Sequence, residues 1–387
     1  MNEKKIELKL LVPVLLSFFV MSFCDLVGTG VDHVKTDFNL SNTLAQLIPS
    51  AVFLWFLLLS VPFGILQDRI GKRKVLNLGM IITTIGLLIP FIYYSFPTAL
   101  IAFGFLGIGN TIVQVSANPL LVDVVPDSKR SSFLSFSQFV KSIGSMIAAP
   151  LAGWVASRFG DWRIVFIVFG IVSILAILWL TLTPIDETRN NEKRATFSSS
   201  FSLLGNRFIA MMVAGIFLVV GVDVGMNSSI GQLLLEKFNC AQSTADYGHS
   251  VYFLGKMIGT FCGAFILALV SSRKLFIWSS IAGLISIVAL MLAPSANSAL
   301  IISFIIGLGF SNIWPLIFSL TVEKYPQRSN EVSGLMIMAI FGGAVIPVLI
   351  GRISDKINVT AGMGVLLLCA AYLILLSFIC GGKREEA

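Results

Sequence analysis

The stretch Gly107–Pro126, "GIGNTIVQVSANPLLVDVVP", returns in altered form as Gly307–Pro326, "GLGFSNIWPLIFSLTVEKYP". Gly107 and Gly307, Gly109 and Gly309, and Pro126 and Pro326 share an offset of 200 residues, and Asp25 and Asp223 match at 198. Several matches in register point to a duplicated unit whose copies are related by an axis along a membrane normal, the plan of a secondary transporter. Asn110, Gln114 and Asn118 lie at i, i+4 and i+8, which on a helix makes one slowly drifting stripe. The matching positions of the second copy are Phe310, Trp314 and Phe318. An amide left unpaired in hydrocarbon costs roughly 2–7 kcal/mol, so the stripe is expected to face something polar. Amides bond hydroxyls while an aromatic face packs on C–H surface, and together they suit a sugar ring. Interhelical bonding of the amides and lipid contact of the aromatics are the plainer alternatives.

Working outward, apolar runs of about 20 residues recur along the chain, each long enough to cross about 30 Å of hydrocarbon. Twelve are expected, at 10–31, 43–67, 74–95, 98–122, 131–157, 162–183, 207–235, 246–270, 274–293, 297–322, 331–352 and 360–381. Of the 387 residues 56% are hydrophobic and 12% charged, about half the charge of a soluble protein, so the chain reads as an all-α membrane protein. The first run is too long for a signal core and leads straight into further spans, so no cleavable leader is expected. The polar segment Thr183–Arg207 divides six spans from six, which gives bundles at 1–183 and 207–387 joined by a linker at 184–206. The net charge of +7 does not point to nucleic acid, because its placement follows loops. Of the 27 Lys and Arg, 19 fall at the termini and even-numbered inter-span loops and 6 in the opposite loops, which predicts cytoplasmic termini.

Five cysteines without paired spacing read as small apolar side chains. His33 and His249 fall near helix ends on one side with no HExxH or cysteine partner, so neither a metal site nor a hydrolase is expected, and no enzyme constellation appears. Four ionisable groups sit inside spans: Asp25, Lys141, Asp223 and Lys256. Each costs about 2.5–3.5 kcal/mol at the bilayer centre on insertion scales, so each needs a partner or a task. Mutual ion pairs are one reading. The other is that a carboxylate exchanges its partner for a coupling ion, with Asp25 first and Asp223 second, no cofactor being needed beyond H+ or Na+. Asp25 also lies near Gly28, Thr29 and Gly30, where a loosened helix would offer carbonyl oxygens.

The loop after the second span carries "GILQDRIGKRK", Gly64–Lys74. It resembles G-x-x-x-D-R-x-G-x-R-K, the cytoplasmic signature of the major facilitator superfamily, which implies two pseudo-symmetric six-helix bundles and a gating role for Gly64, Asp68, Arg69, Gly71 and Arg73. A weaker echo, "GRISDK", follows the eleventh span. "QVSANPLL", "SQFVKSIGS", "GKMIG" and "WPLIFSLTVEKYP…MAIFGGAVIPVLIGRISDK" further resemble the fucose/glucose–galactose permease family of sugar:cation symporters. That resemblance implies a monomeric importer of a small monosaccharide in the bacterial inner membrane. It departs in three places: Gln114 stands where the fucose permeases have a proton-linked glutamate, Gly28 matches their first-span aspartate, and Lys141 replaces an asparagine while Lys256 replaces an arginine.

The candidate substrate contacts are therefore Asn110, Gln114, Asn118, Gln138, Lys141, Asn227 and Asn312, with Trp314 as the aromatic platform. Lys141 also leaves an anionic sugar or organic anion open. A degraded exporter motif in "SMIAAPLAGW" makes a drug or metabolite exporter a further alternative, and a transporter-like sensor is disfavoured by short termini.

Overall fold

The computed structural model describes residues 7–126, 130–185, 187, 201–325 and 328–380. Those residues form helices and connecting turns, with no strand among them. The first six long helices are α1 (Leu8–Phe38), α2 (Asn42–Ala45 continuing as Leu47–Ile70), α3 (Lys72–Ile92), α4 (Phe96–Val124), α5 (Arg130–Phe159) and α6 (Ile164–Leu182). Six more follow: α7 (Arg207–Glu236), α8 (Gln242–Leu269), α9 (Ser272–Met291), α10 (Ala296–Phe310 continuing as Ile313–Lys324), α11 (Ser329–Met338 continuing as Gly342–Lys356) and α12 (Val359–Gly362 continuing as Gly364–Ile379). Among the described residues, 11 helices are long and apolar enough to cross a membrane. The 28-residue α8 takes the eighth position of the twelve.

Local structure repeats with the sequence. Ser95 opens α4 with a capping box, its hydroxyl accepting from the Thr98 N–H while Thr98 accepts from the Ser95 N–H, and Ser295 with Ser298 does the same for α10. Asn39 ends α1 at φ 49° and Asn239 follows α7 at φ 51°, the left-handed conformation that asparagine tolerates. Gly107 of α4 lies against the backbone of Val52 in α2, and Gly307 of α10 against that of Tyr252 in α8. A side chain at either glycine would drive into a carbonyl, so these residues let two helix backbones touch.

Two apolar cores result. One is built mainly from Leu11 to Leu180 and the other from Leu203 to Leu376; Val224, Ile340 and Ala344 of the second half join the first core. The stacked pair Phe23 and Phe169 (4.2 Å) fixes α1 on α6.

The helices differ from the predicted spans chiefly in α1, which runs seven residues past the apolar run and carries Asp32, His33, Lys35 and Asp37 with it. Those polar residues stay helical because other helices supply their partners. The expected loosening at Gly28–Gly30 is not there: those residues are regular α-helix, and the departure from it is the more tightly wound 3-10 segment Ser22–Leu26 just before them, which contains Asp25 itself. Gly28 and Gly30 are close-packing positions instead, against Asn227 and Phe103 respectively.

Candidate functional site

Two acid–base pairs occupy the interior, one from each half. In the second half, Lys256 of α8 donates to both oxygens of Asp223 on α7 (2.7 and 2.6 Å), and the Tyr252 hydroxyl donates to Oδ1 at 2.5 Å. That carboxylate is clamped by three bonds. In the first half, Lys141 Nζ of α5 stands 3.8 Å from Asp25 Oδ2, beyond hydrogen-bond reach, while the Ser145 hydroxyl donates to the same oxygen at 2.5 Å. The Asp25 pair is held by charge and the Asp223 pair by charge and geometry together. All four side chains are partly accessible, from 14% for Asp25 to 34% for Asp223.

The 3-10 winding of α1 at Ser22–Leu26 breaks the α-helical bonding pattern around Asp25, whose carbonyl accepts from Asn227 Nδ2 of α7 at 3.1 Å across the two halves. The structure thus brings Asp25, Lys141 and Asn227 together and sets Asp223 with Lys256 beside them.

The amide stripe divides. Asn110 is buried and its Nδ2 donates to Cys24 Sγ at 2.9 Å, whereas Gln114 and Asn118 are half-buried, with Asn118 Nδ2 turned to the Gln114 carbonyl at 3.3 Å. Gln138 is exposed one turn before Lys141. The aromatic stripe divides too. Phe310 is buried against Gly283 of α9, while Trp314 and Phe318 stack at 5.3 Å and remain half-buried. Asn312 is buried in an interhelical bond, its Nδ2 donating to the Gly259 carbonyl at 2.8 Å. Of the predicted contacts, Gln114, Asn118, Gln138, Lys141 and Trp314 keep accessible surface; Asn110, Asn227 and Asn312 are engaged with neighbouring helices.

The signature loop is organised by the end of α6 and the linker. Gly71 adopts φ 100°, a conformation costly for any side-chain-bearing residue, and α3 starts immediately after it. The Glu187 carboxylate accepts from the Lys72 and Arg73 N–H groups (2.5 and 3.2 Å), an anion at a helix N-terminus. Lys72 Nζ reaches Asp123 Oδ2 at the end of α4 (2.6 Å), and Arg73 donates to the Thr183 carbonyl. Gly64 faces open space toward Val115 and Arg69 is exposed; the side chain of Asp68 lies outside the described residues. In the "GRISDK" echo, Asp355 accepts from the backbone N–H groups of Asn42 and Thr43 (2.6 and 2.8 Å), tying α11 to the start of α2.

Both histidines, which have no partner in local sequence, meet carboxylates across the fold. At the end of the bundle remote from Leu8, His249 Nε2 of α8 lies 2.7 Å from Asp32 Oδ2 of α1, and His33 Nε2 lies 3.3 Å from Asp246 Oδ1. His33 stacks on Trp162 (4.8 Å), whose indole N–H donates to Asp37. Lys35 pairs with Glu236 of α7 at the same end. Outside the spans, hydrogen bonds from Arg163 hold the Asp161 carboxyl below its ordinary value, and burial followed by the bond to Asp37 pushes the Tyr94 phenol up. The missed signal is four ionisable residues near the ends of two apolar runs, whose pairing over 217 positions no local pattern encodes.

The geometry agrees with what the chain resembles. The model of the Major Facilitator Superfamily matches residues 14–346. A glucose/galactose transporter of Brucella abortus biovar 1 is 26% identical over 381 residues, covering 94% of this chain and 92% of the relative. A cis,cis-muconate transport protein of Acinetobacter baylyi is 24% identical over 379 residues, 92% of this chain and 88% of that one. The solved structure of the Escherichia coli fucose:proton symporter superposes with a TM-score of 0.71 at 18% identity, over 96% of this chain and 98% of that one. A twelve-helix chain with interior charge pairs and no strand among its described residues, matched by that family over most of its length, is a multi-pass membrane transporter and not an enzyme: it belongs to the major facilitator superfamily.

Proposed function

We propose that the chain imports a monosaccharide by cation-coupled symport across the bacterial inner membrane, with both termini cytoplasmic and the two halves rocking about a site between them. The observation that carries this reading is the contrast between the two interior pairs. Asp223 has three tight donors, whereas Asp25 is held by one hydroxyl, the weak Cys24 thiol at 3.6 Å and a lysine at 3.8 Å. A loosely held carboxylate beside a 3-10 carbonyl is the one able to trade its lysine for H+ or Na+. Substrate hydroxyls would meet Gln114, Asn118 and Gln138 from the first half, with Trp314 stacked on Phe318 as the apolar platform from the second. Asn110, Asn227 and Asn312 then act by fixing helices around the site. Gly64, Asp68, Arg69, Gly71 and Arg73 form the gating loop, with Glu187 as its anchor. A monomer suffices, because both pairs and the inter-half contacts lie within one chain.

The deciding experiment is uptake by proteoliposomes of labelled neutral hexoses, N-acetylhexosamines and anionic sugars under separate proton and sodium gradients. Accumulation of a neutral sugar, lost in Asp25→Asn, is expected. Absence of gradient-driven uptake for every neutral sugar would overturn the reading.

A second reading rests on Lys141 and Lys256, two ammonium groups in the interior, and on the relative named for muconate. An organic or sugar acid would displace Asp25 from Lys141. Preference for the anionic members of the panel, abolished in Lys141→Gln, would select it.

A further inference from the structure

The hydrogen-bond directions around Asn227 fix the position of a proton. The Asp25 carbonyl can only accept, so the Asn227 group facing it at 3.1 Å is the amide NH2. The other end of that side chain, the oxygen Oδ1, therefore faces His249 Nδ1 at 3.2 Å, and Nδ1 must carry hydrogen to donate to it. His249 Nε2 then meets the Asp32 carboxylate at 2.7 Å. With Nδ1 already protonated, a neutral imidazole would point its Nε2 lone pair at a carboxylate oxygen, so a second proton has to lie between them. It is shared whether the pair is written imidazolium–carboxylate or imidazole–carboxylic acid.

We infer that Asp32 and His249 form a proton-binding site between the two halves, filled while the end of the bundle remote from Leu8 is closed and emptied when that end opens. The bond balance is simple: on opening, the Nε2–H···Oδ2 bridge breaks, one proton passes to water, and a neutral imidazole and a free carboxylate remain. The inference rests on the proposed rocking of the halves at this end and not on any particular substrate.

The site is built for closure. Asp32 and His249 side chains are 0% and 2% exposed. Gly231 of α7 faces the Asp32 carboxylate so closely that a methyl group there would overlap it, and a Cβ at Gly28 would stand 2.7 Å from His249 Nδ1. Asp32 Oδ1, Asp246 Oδ2 and Gln232 Nε2 are buried without a hydrogen-bond partner among the described residues. A deprotonated pair would leave Asp32 a bare carboxylate near a second one, Asp246, which is the arrangement that burial penalises most. Other charged and titratable groups face the site from the surrounding helices. On α1 they are His33, which offsets Asp246 at 3.3 Å, and Lys35, which is matched by Glu236 of α7. On α8 it is Asp246 itself, which also accepts from Gln242 at 3.4 Å, while α5 presents Gly153 and the start of α6 presents the neutral Trp162. Asn227 links the site to the backbone carbonyl of Asp25, whose carboxylate belongs to the interior pair with Lys141.

Hydrogen exchange read by mass spectrometry on the full chain in nanodiscs, between pH 5.5 and 8.5 and corrected for intrinsic rates, tests this without a substrate. The reporter segments are 36–46, 231–249 and 351–360, from both halves of that end. Protection is expected to fall with rising pH by about tenfold per unit for this proton. Asp32→Asn, whose amide NH2 donates to a neutral His249, should keep the end protected at high pH and reduce the slope by one proton; His249→Gln, a second variant should the first misfold, should also lose one proton of slope. Gly231→Ala keeps every titratable group and should open the end at all pH values. Wild-type protection independent of pH, or an unchanged slope in both variants, would overturn the site. Proton-driven sugar uptake with pH-independent exchange would discard this site and leave the proposed function standing; pH-dependent exchange of this slope with no gradient-driven uptake of any neutral sugar would keep the site and discard the symport reading.

Discussion

The charged residues of the interior are separated by how firmly they are held. Asp25 and Asp223 occupy matching places in the two halves, but only Asp223 has its lysine within hydrogen-bond distance. Asp25→Asn is therefore expected to abolish accumulation against a gradient while leaving exchange of substrate across the membrane, measured as counterflow, within about threefold of wild type. Asp223→Asn should instead reduce the yield of folded protein, since it strands Lys256 and the Tyr252 hydroxyl. Trp314→Ala and Asn118→Ala remove accessible contacts, and each should raise the apparent KM about five- to tenfold, roughly 1–1.4 kcal/mol. Phe310→Leu discriminates between the two faces of α10: its ring lies on Gly283, so KM should stay unchanged while thermal stability falls. Sequence alone picked out Asp25, Lys141 and the amides because polar residues in apolar runs are conspicuous. It offered no means of telling the accessible Gln114 and Asn118 from the bonded Asn110 and Asn312, because that depends on a degree of helix rotation that a stripe of i, i+4 positions does not specify.

Among the elements, the paired helices α2/α4 and α8/α10 share one device, a glycine against a backbone carbonyl. Gly107→Leu and Gly307→Leu should each cost about 1–3 kcal/mol by forcing those backbones apart, read as a lower melting temperature in detergent. The equivalence was legible from the 200-residue offset, and the capping boxes at Ser95 and Ser295 keep to it. The extension of α1 to Phe38 was not legible. Its last turns are polar because α7 and α8 cover them, and hydropathy weighs a residue without knowledge of its neighbours. The same limit hid Glu187, a linker residue whose only distinction is the two N–H groups of α3 that it accepts from.

At the scale of the whole molecule, contacts such as Lys35 with Glu236, Asp355 with the start of α2, and Asp32 with His249 tie one half to the other at the end remote from Leu8. Replacing Lys35 and Glu236 together by cysteines and joining them with a bifunctional methanethiosulfonate reagent, which spans the gap the long side chains now fill, should stop uptake, with activity restored by a reducing agent; uptake that continues through complete cross-linking would show that this end need not open. The repeat and the twelve spans followed from composition and periodicity. Which faces meet across the halves did not, since it is settled by packing between residues about 200 positions apart. The two interior pairs, Asp25 with Lys141 and Asp223 with Lys256, have one more consequence. Each sums to zero, so the unloaded halves can rock without dragging net charge through the electric field of the membrane. A potential of 100 mV acts on a lone elementary charge with about 2.3 kcal/mol and on a neutral pair moving as a unit with almost nothing. Apart from the proton exchanged at the Asp32–His249 end, the empty return should thus be nearly indifferent to voltage, and the step that carries the coupling cation should generate most of the current, a division that capacitive recordings on supported membranes would display directly.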